Sequence, residues 1–320
     1  MSAGEAGERR AAVLEALVVG AGAPVSGEEL ASRLGCSRAA VHRHVEALRR
    51  DGVHIEGGAE GYSLDPASDV VVPALVQREL TGPLAGPVAW RASTASTNDD
   101  AAAAAREGAA EGLVVGADRQ TAGRGRRGRP WVSRAGEGLF ASVLLRPSVA
   151  PVDASTLPLL VALGVAEACG EQARIAWPND IVIAGRKVAG VLVELSADHE
   201  RVHWAIAGVG VNVRGAPELA DARWTPGALG DGRGRSEILI DLMRSLGRRY
   251  ADWCGTGRQA CLAAYRERDA LAGRTVTVTT DDGEIVGTAS GVDEAGRLRM
   301  ATAAGERQVS VGEVTGVDGL

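Results

Sequence analysis

The sequence predicts a mixed α/β (α+β) fold in three parts. These are a winged helix-turn-helix over residues 1–68, a central mixed sheet with helices over 69–270, and a small β-barrel over 271–320. Three patterns predict it. The first fifty residues hold capped helical stretches and lead into two short β-prone runs. The middle interleaves apolar, strand-length runs with alanine- and leucine-rich helical segments. The last fifty hold short strands separated by Asp-Gly and Ala-Gly turns.

In the first part, residues 8–19 read as a helix. Ser26-Gly27-Glu28-Glu29 has the form of a capping box, in which serine and glutamate satisfy each other's orphan amides. It opens a second helix that ends near Leu34-Gly35. Ser37 caps a third, Arg38 to Arg50, with Val41, Val45 and Leu48 on one face and Gly52 as its end. The other face offers Arg38, Ala39, His42 and Arg43, with His44 a further candidate. Two β-prone stretches, Val53–Glu56 and Gly61–Leu64, then form a wing around Gly57-Gly58-Ala59-Glu60. In such a fold the third helix enters the major groove and the wing touches the backbone, so Ser37, Arg38, His42 and Arg43 are the candidate DNA contacts. A three-helix protein-interaction domain fits the same pattern without DNA. Two features weigh on the DNA reading: the segment is acidic as a whole, and Glu60 at the wing tip would repel a phosphate. One copy would bind weakly, so a dimer reading two half-sites is expected.

Bulk composition narrows the function. The formal charge is −6 and hydrophobic residues make up 45%, so there is ample material for cores but no global field to draw nucleic acid. Cys36, Cys169, Cys254 and Cys261 form no CxxC pair and no metal-ligand spacing, which suits a reducing cytoplasm. No apolar span of membrane length occurs, and the opening residues do not form a signal peptide.

The central part carries the chemistry. A proline-bearing linker over 66–87, with a short helix about Val72–Leu80, leads to a strand at Val88–Trp90. Ser96-Thr97-Asn98 then opens an alanine-rich helix to about Arg106. These three polar residues either cap the helix or leave its amides and dipole to an anionic group. Strand Leu113–Ala117 runs into the densest cationic segment of the chain, with Arg119, Arg124, Arg126, Arg127 and Arg129 spaced by Gly123, Gly125 and Gly128. Glycine and crowded like charge disfavour regular structure there. The segment is either solvated and disordered or a loop that closes over phosphate or carboxylate. Strand Leu139–Leu145 follows it directly, which argues for a loop held at both ends.

A helix about Ala154–Gly170 precedes Ile175-Ala176-Trp177-Pro178-Asn179-Asp180. Ile181 to Glu194 reads as a hairpin turning at Ala184–Arg186, with Lys187 in an otherwise apolar strand. That lysine either snorkels from an edge or is held for a purpose. Ala205–Val213 is a buried strand whose glycines allow close approach of a ligand or another backbone.

The order of these segments resembles the biotin–protein ligases, in the bifunctional class that also represses biotin-synthesis genes. The likeness runs through SGEELASRLGCSRAAVHRHVEALRRDG, GYSL, STN, RQTAGRGRRGRPW, WPND, RKVAGVLVE and GVGVN. It implies a class II synthetase-like, biotin–lipoate ligase-like central sheet and an SH3-like C-terminal barrel that assists ATP and acceptor binding. It implies that Ser96, Thr97, Asn98 and Gln120 hold biotin, and that the loop from Gly123 to Arg129 orders over biotin and the adenylate phosphate. Arg124 and Arg126 would be its direct contacts, with Gly125 between them and Trp131 flanking. Lys187 matches the lysine at the reacting carboxylate and phosphate, and Asp180 would orient it or help hold the metal. Gly190 and Gly208 would let the backbone approach biotin, Asn212 lies toward the nucleotide, and Trp224 matches an adenine-stacking tryptophan.

The substrates implied are biotin and ATP with Mg2+. The partners implied are a biotin carboxyl carrier domain, operator DNA and a second copy in a ligand-promoted homodimer. No protein-built metal site and no membrane contact are implied. The family usually has lysine before Trp-Pro-Asn-Asp, whereas this chain has Ala176. A cation near the phosphates is thereby lost unless Arg174 compensates from the same strand face. A DNA-binding biotin sensor with weak or no ligase activity is the alternative. A lipoate ligase is disfavoured by the arginine loop and the winged helix.

Overall fold

The computed structural model describes residues 3–50, 53–65, 68–132, 134–218, 224–255 and 257–318, with backbone alone for residues 3–6. The chain divides into two compact units, Met1–Glu79 with Gly234–Ser236, and Leu80–Arg233 with Glu237–Leu320.

The first unit contains α1 (Ala3–Val19), α2 (Gly27–Arg33), α3 (Arg38–Arg50), β1 (Ile55–Gly58), β2 (Gly61–Leu64) and α4 (Pro73–Glu79). Ser26 Oγ accepts the Glu29 amide at 3.0 Å and Ser37 Oγ accepts the Ala40 amide at 3.2 Å, so both helices start where orphan amides find a hydroxyl. Glu29 turns its carboxylate toward Arg33 at 3.8 Å. Leu17, Leu30, Val41, Val45, Leu48, Ile55 and Leu64 form one core. The wing pairs Gly57 with Tyr62 and Gly58 with Gly61, leaving Ala59-Glu60 as a two-residue turn. The two glycines therefore belong to the strand and not to the turn. Val25 adds a bridge to Tyr62 on the other side of β2. Gly61 is needed there: its φ is 136°, and a Cβ would stand 2.2 Å from the Val25 carbonyl oxygen. Gly52, expected to end α3, lies outside the described residues.

The second unit begins with a mixed sheet. Its strands are β3 (Val88–Arg91), β4 (Val114–Ala117), β5 (Gly138–Leu145), β6 (Arg174–Ala176), β7 (Asp180–Ile183), β8 (Arg186–Ala197) and β9 (Val202–Asn212), with β10 (Thr225–Pro226) beside β8. The spatial order is β3-β4-β5-β9-β8-β7-β6; β3 and β4 are parallel and every later neighbour on that path is antiparallel. All eight residues of β5 are buried, as a central strand covered on both faces requires. α5 (Thr97–Arg106) packs on β4, β5 and β9, and α6 (Leu157–Cys169) on β6 to β9. α6 is apolar almost all round because it lies between the sheet and α8 (Arg258–Glu267). Truncating its fully buried Leu163 to alanine would cost roughly 2–5 kcal/mol. β7 accompanies β8 only as far as Gly190, so beyond Val191 that side of β8 has no partner strand among the described residues, and Leu195 is 46% exposed.

α7 (Arg235–Cys254) and α8 precede the C-terminal sheet of β11 (Thr275–Thr280), β12 (Gly283–Val292), β13 (Leu298–Thr302), β14 (Gly305–Val309) and β15 (Glu313–Val317). Its order is β14-β13-β12-β11-β15, all antiparallel, with register shifts at Thr277/Val278 and Ala289/Val292 that bend it in the manner of a small barrel. The last two strands are separate: the chain turns at Ser310-Val311-Gly312, and the terminal strand is Glu313–Val317. Gly312 makes the turn, since a Cβ there would lie 2.7 Å from Val278. This sheet docks on the mixed sheet through Trp177, whose Nε1 donates to the Gly296 carbonyl at 3.0 Å, and through Arg266, which donates to the Val292 carbonyl.

Candidate active site

A cavity of about 820 Å3 opens in the second unit. It is walled by the start of α5, the arginine segment, the turn before β7, the β8 and β9 strands, residues around Trp224, and β15. Ser96, Thr97, Asn98, Gln120, Arg124, Gly125, Arg126, Trp131, Asp180, Lys187, Gly190, Gly208, Asn212 and Trp224 all line it. Residues more than a hundred apart in sequence thus meet because β8 and β9 are central strands and β4 and β5 deliver the arginine segment beside them.

At one end is a buried polar network. The Thr97 amide and hydroxyl both donate to Gln120 Oε1, at 2.8 and 3.1 Å. Ser142 Oγ, fully buried on β5, lies 2.8 Å from Thr97 Oγ1 and 2.6 Å from Asn98 Oδ1. Asn98 Nδ2 donates to Glu194 Oε2 at 2.6 Å. Ser96 occupies the N-cap position but its side chain makes no capping bond, although it is 3% exposed. The α5 terminus is not a vacant anion site, because Gln120 takes the Thr97 amide and Asp99 and Asp100 already complement the dipole. Ser142 belongs to no motif in the sequence, its one signal being a serine inside the apolar run Leu139–Leu145, whereas Glu194 ends the RKVAGVLVE motif without its role being apparent there.

The arginine segment is ordered as a small hairpin. The Trp131 amide donates to the Gly123 carbonyl at 2.8 Å, Arg124 bridges to Pro130, and the Gly125 amide donates to the Arg129 carbonyl at 2.7 Å. A single 3-10 turn at Arg126–Gly128 closes it, with Arg127 at φ 54°. Its arginines point to different partners. Arg124 forms a two-toothed pair with Asp99 at 2.8 and 2.5 Å, which holds the Asp99 carboxyl below the usual carboxylate range, chiefly through that hydrogen bond. Arg126 Nη1 is 3.4 Å from Asn179 Oδ1. Arg127 pairs with Asp281 at 2.9 Å and Arg129 pairs closely with buried Glu313, so the C-terminal sheet clasps the hairpin. Glu313 and Thr315 also line the cavity, a contribution that the sequence does not disclose.

Beneath the hairpin, Lys187 Nζ forms an ion pair with Asp180 Oδ1 at 2.6 Å, and Asp180 is 2% exposed. Lys187 Nζ also lies 5.3 Å from the centroid of the Trp131 ring. Behind Asp180, burial pushes the Tyr265 phenol well up, helped by the charges of Asp269 and Asp180, and the hydroxyl makes no hydrogen bond. The glycines have specific causes. A Cβ on Gly208 would meet Asn98 Oδ1 at 2.2 Å, and one on Gly190 or Gly210 would meet the Trp131 indole at 2.9 or 2.5 Å. Asn212 Nδ2 donates to the Gly227 carbonyl at 2.9 Å, and Trp224 is 7% exposed.

Ala176 is buried and pairs with Asp180 across the β6–β7 turn. The expected compensation by Arg174 fails: its Nη1 donates to the Glu171 and Ala173 carbonyls, which draws the side chain back along its own turn, and it does not line the cavity. In the first unit, Ser37, Arg38, His42 and Arg43 are all exposed on one side of α3, and His42 Nδ1 is 3.2 Å from the Tyr62 hydroxyl of the wing. His44 does not join them. It follows Val41 by three residues and precedes Leu48 by four, which puts it on the core stripe, 6% exposed, where burial first and then Arg9, Arg10 and Arg43 lower its pKa.

A cavity of this build sits in a chain whose parts match three family models. Residues 91–212 match the biotin/lipoate A/B protein ligase family, residues 9–63 an HTH domain, and residues 272–315 the biotin protein ligase C-terminal domain. The bifunctional ligase/repressor BirA of Bacillus subtilis strain 168 is 33% identical over 297 residues, covering 89% of this chain and 91% of that protein. The biotin–[acetyl-CoA-carboxylase] ligase of Mycobacterium tuberculosis is 35% identical over 77% of this chain and 97% of its own. A biotin protein ligase from Aquifex aeolicus, solved in complex with biotin and ATP, superposes with a TM-score of 0.61 at 27% identity, over 71% of this chain and 97% of that one. The chain belongs to the biotin protein ligase family, with an N-terminal HTH domain and the family's C-terminal domain.

Proposed function

We propose that this chain joins biotin to a lysine of a biotin carboxyl carrier domain through biotinyl-5′-adenylate, and represses transcription through its N-terminal domain. The observation that carries the ligase reading is the meeting, in one cavity, of the Lys187–Asp180 pair, the Arg124–Arg126 hairpin and the Thr97–Gln120–Asn98–Ser142 network. Biotin's ureido ring needs a few fixed polar groups in an apolar wall, which Ser96, Thr97, Asn98 and Gln120 supply. Its carboxylate must approach the α-phosphate of ATP, so two anions have to be brought together. Lys187 and Arg126 neutralise them, Arg124 and Gly125 shape the cover over them, and Gly190 and Gly208 keep the floor low. Asn212 and Trp224 face the nucleotide.

The carboxyl–phosphate mixed anhydride is then attacked by the acceptor amine, and the closed hairpin keeps water from doing so first. Asp180 and Glu313 are the carboxylates of the cavity and both are committed to cations, while no trio of metal-ligating side chains occurs among the described residues. In this reading Mg2+ arrives with the triphosphate as part of the substrate.

Residues 1–68 form the DNA-binding part in this reading, 69–270 the ligase and 271–320 the clasp. The open side of β8 beyond Val191 suits pairing with a second copy, which would give the two half-sites that operator binding requires. The scattered free cysteines and the lack, among the described residues, of any helix able to cross a membrane agree with a cytoplasmic setting. Ala176 favours one second reading, a biotin-responsive DNA-binding protein with little ligase activity. Incubation with ATP, biotin and a carboxyl carrier domain, followed by blotting for biotin, separates them: label on the carrier supports the ligase, and an unlabelled carrier leaves the sensor.

A further inference from the structure

Lys187 is the only lysine in the 320-residue chain; all its other side chains among the 35 Lys and Arg are arginine. This matters because the intermediate proposed above is an acylating agent for amines. In acylation the amine's lone pair attacks the anhydride carbonyl carbon and a C–N bond forms. The C–O bond to phosphate breaks, AMP leaves with that electron pair, and the nitrogen gives its extra proton to solvent. A guanidinium keeps its proton at any working pH and has no pair to offer. The chain thus fills these cationic positions, including the Arg33–Glu29, Arg124–Asp99 and Arg249–Glu167 pairs, without a side-chain amine.

The one ε-amine is committed as well. Lys187 Nζ is ion-paired with Asp180 at 2.6 Å and faces the Trp131 ring, inside the cavity. An ammonium held by a buried carboxylate cannot attack until it loses both proton and partner. Three of the four thiols are poor alternatives: burial pushes Cys169 up to about 12 and raises Cys254 and Cys261, and the thiolate is the nucleophile.

We infer that the side chains of this chain are closed to acylation by its own adenylate, because it has a single lysine and keeps that ε-amine ion-paired. Adenylate that escapes the cavity labels neighbouring proteins and spares the enzyme. The inference rests on the ligase reading, so the test supplies the intermediate ready-made. Synthetic biotinyl-5′-adenylate, in excess, is added to a mixture of the full chain and serum albumin. The tryptic peptides are then mapped for biotin after hydroxylamine has removed thioesters. A second sample uses Arg33→Lys/Arg106→Lys, two exposed positions outside the cavity that keep their charge. The expected result is amide-linked biotin on albumin, none on any side chain of the parent chain, and label at both substituted positions of the variant. Biotin on Lys187 of the parent, or substituted positions that stay unlabelled beside labelled albumin, overturns the inference. Failure of the ligase reading shows elsewhere, as absence of biotin-dependent pyrophosphate exchange.

Discussion

Two regions of this acidic chain gather positive charge, and they treat it in opposite ways. In the hairpin over the cavity the cations are answered from within: Arg124 by Asp99, Arg127 by Asp281, Arg129 by Glu313, and Lys187 beneath them by Asp180. On α3, Arg38 and Arg43 are exposed and have no carboxylate partner among the described residues. Pairing fixes a geometry in advance, as a cover over reacting anions needs. Leaving arginines unanswered keeps their charge for an anion that arrives from outside, as a groove-reading helix needs.

The difference can be broken by mutation. Lys187→Ala removes a donor at the reacting centre and leaves Asp180 buried alone, so adenylate formation should fall by about 3 kcal/mol or more, roughly a hundredfold or greater. Single-turnover formation of biotinyl-adenylate measures it, while operator binding by the unliganded chain should not change. Glu313→Gln breaks the buried clasp on Arg129 and should shorten the lifetime of bound adenylate about tenfold, near 1.4 kcal/mol, read from its release rate. Arg43→Ala should leave ligation untouched and lower the salt slope of operator binding by about one, measured by gel shift across a salt series. Arg127→Ala loses only a pair whose carboxylate is 89% exposed and should change adenylate release by less than about 1 kcal/mol. Equal effects for Glu313→Gln and Arg127→Ala would mean that burial of the partner is not what makes the clasp.

Acid separates the two regions as well. His44 has a lowered pKa in the folded state, so the unfolded chain binds its proton more readily. Its contribution to stability is complete above the ordinary value near 6.5 and is lost as the pH falls through the folded value. The Asp99 carboxyl is also lowered, but from a carboxylate's range, so the Arg124 pair persists through this window. Hydrogen-exchange protection of α3 should therefore drop between pH 7 and pH 5 while that of α5 does not. His44→Leu should flatten the α3 response.

Much of this is legible in the sequence. Capping serines, the glycines of the wing and the apolar runs determine local structure through neighbours only, and Ser37, Gly61 and the β7–β8 turn at Ala184-Gly185 lie where such rules put them. The ordered motifs bring out the residues named for the cavity except Trp224, which lies beyond the last of them. What stays hidden depends on distant chain segments. Ser142 gains meaning only because β5 runs beside α5, and Glu313 because the last strand returns to the arginine hairpin. Helices α7 and α8 carry no motif, although Ile238, Leu242, Leu246 and Trp253 mark a buried stripe on α7. His44 shows the converse: its chemistry suggests a place on the DNA face, whereas its position on the helix already assigns it to the core.

Biotin-dependent exchange of labelled pyrophosphate into ATP tests the central claim most directly, because it reads the first chemical step without acceptor or DNA. The parent chain should catalyse it despite Ala176, and Lys187→Ala should lose it. No exchange by the parent, or exchange that survives Lys187→Ala undiminished, would contradict the account.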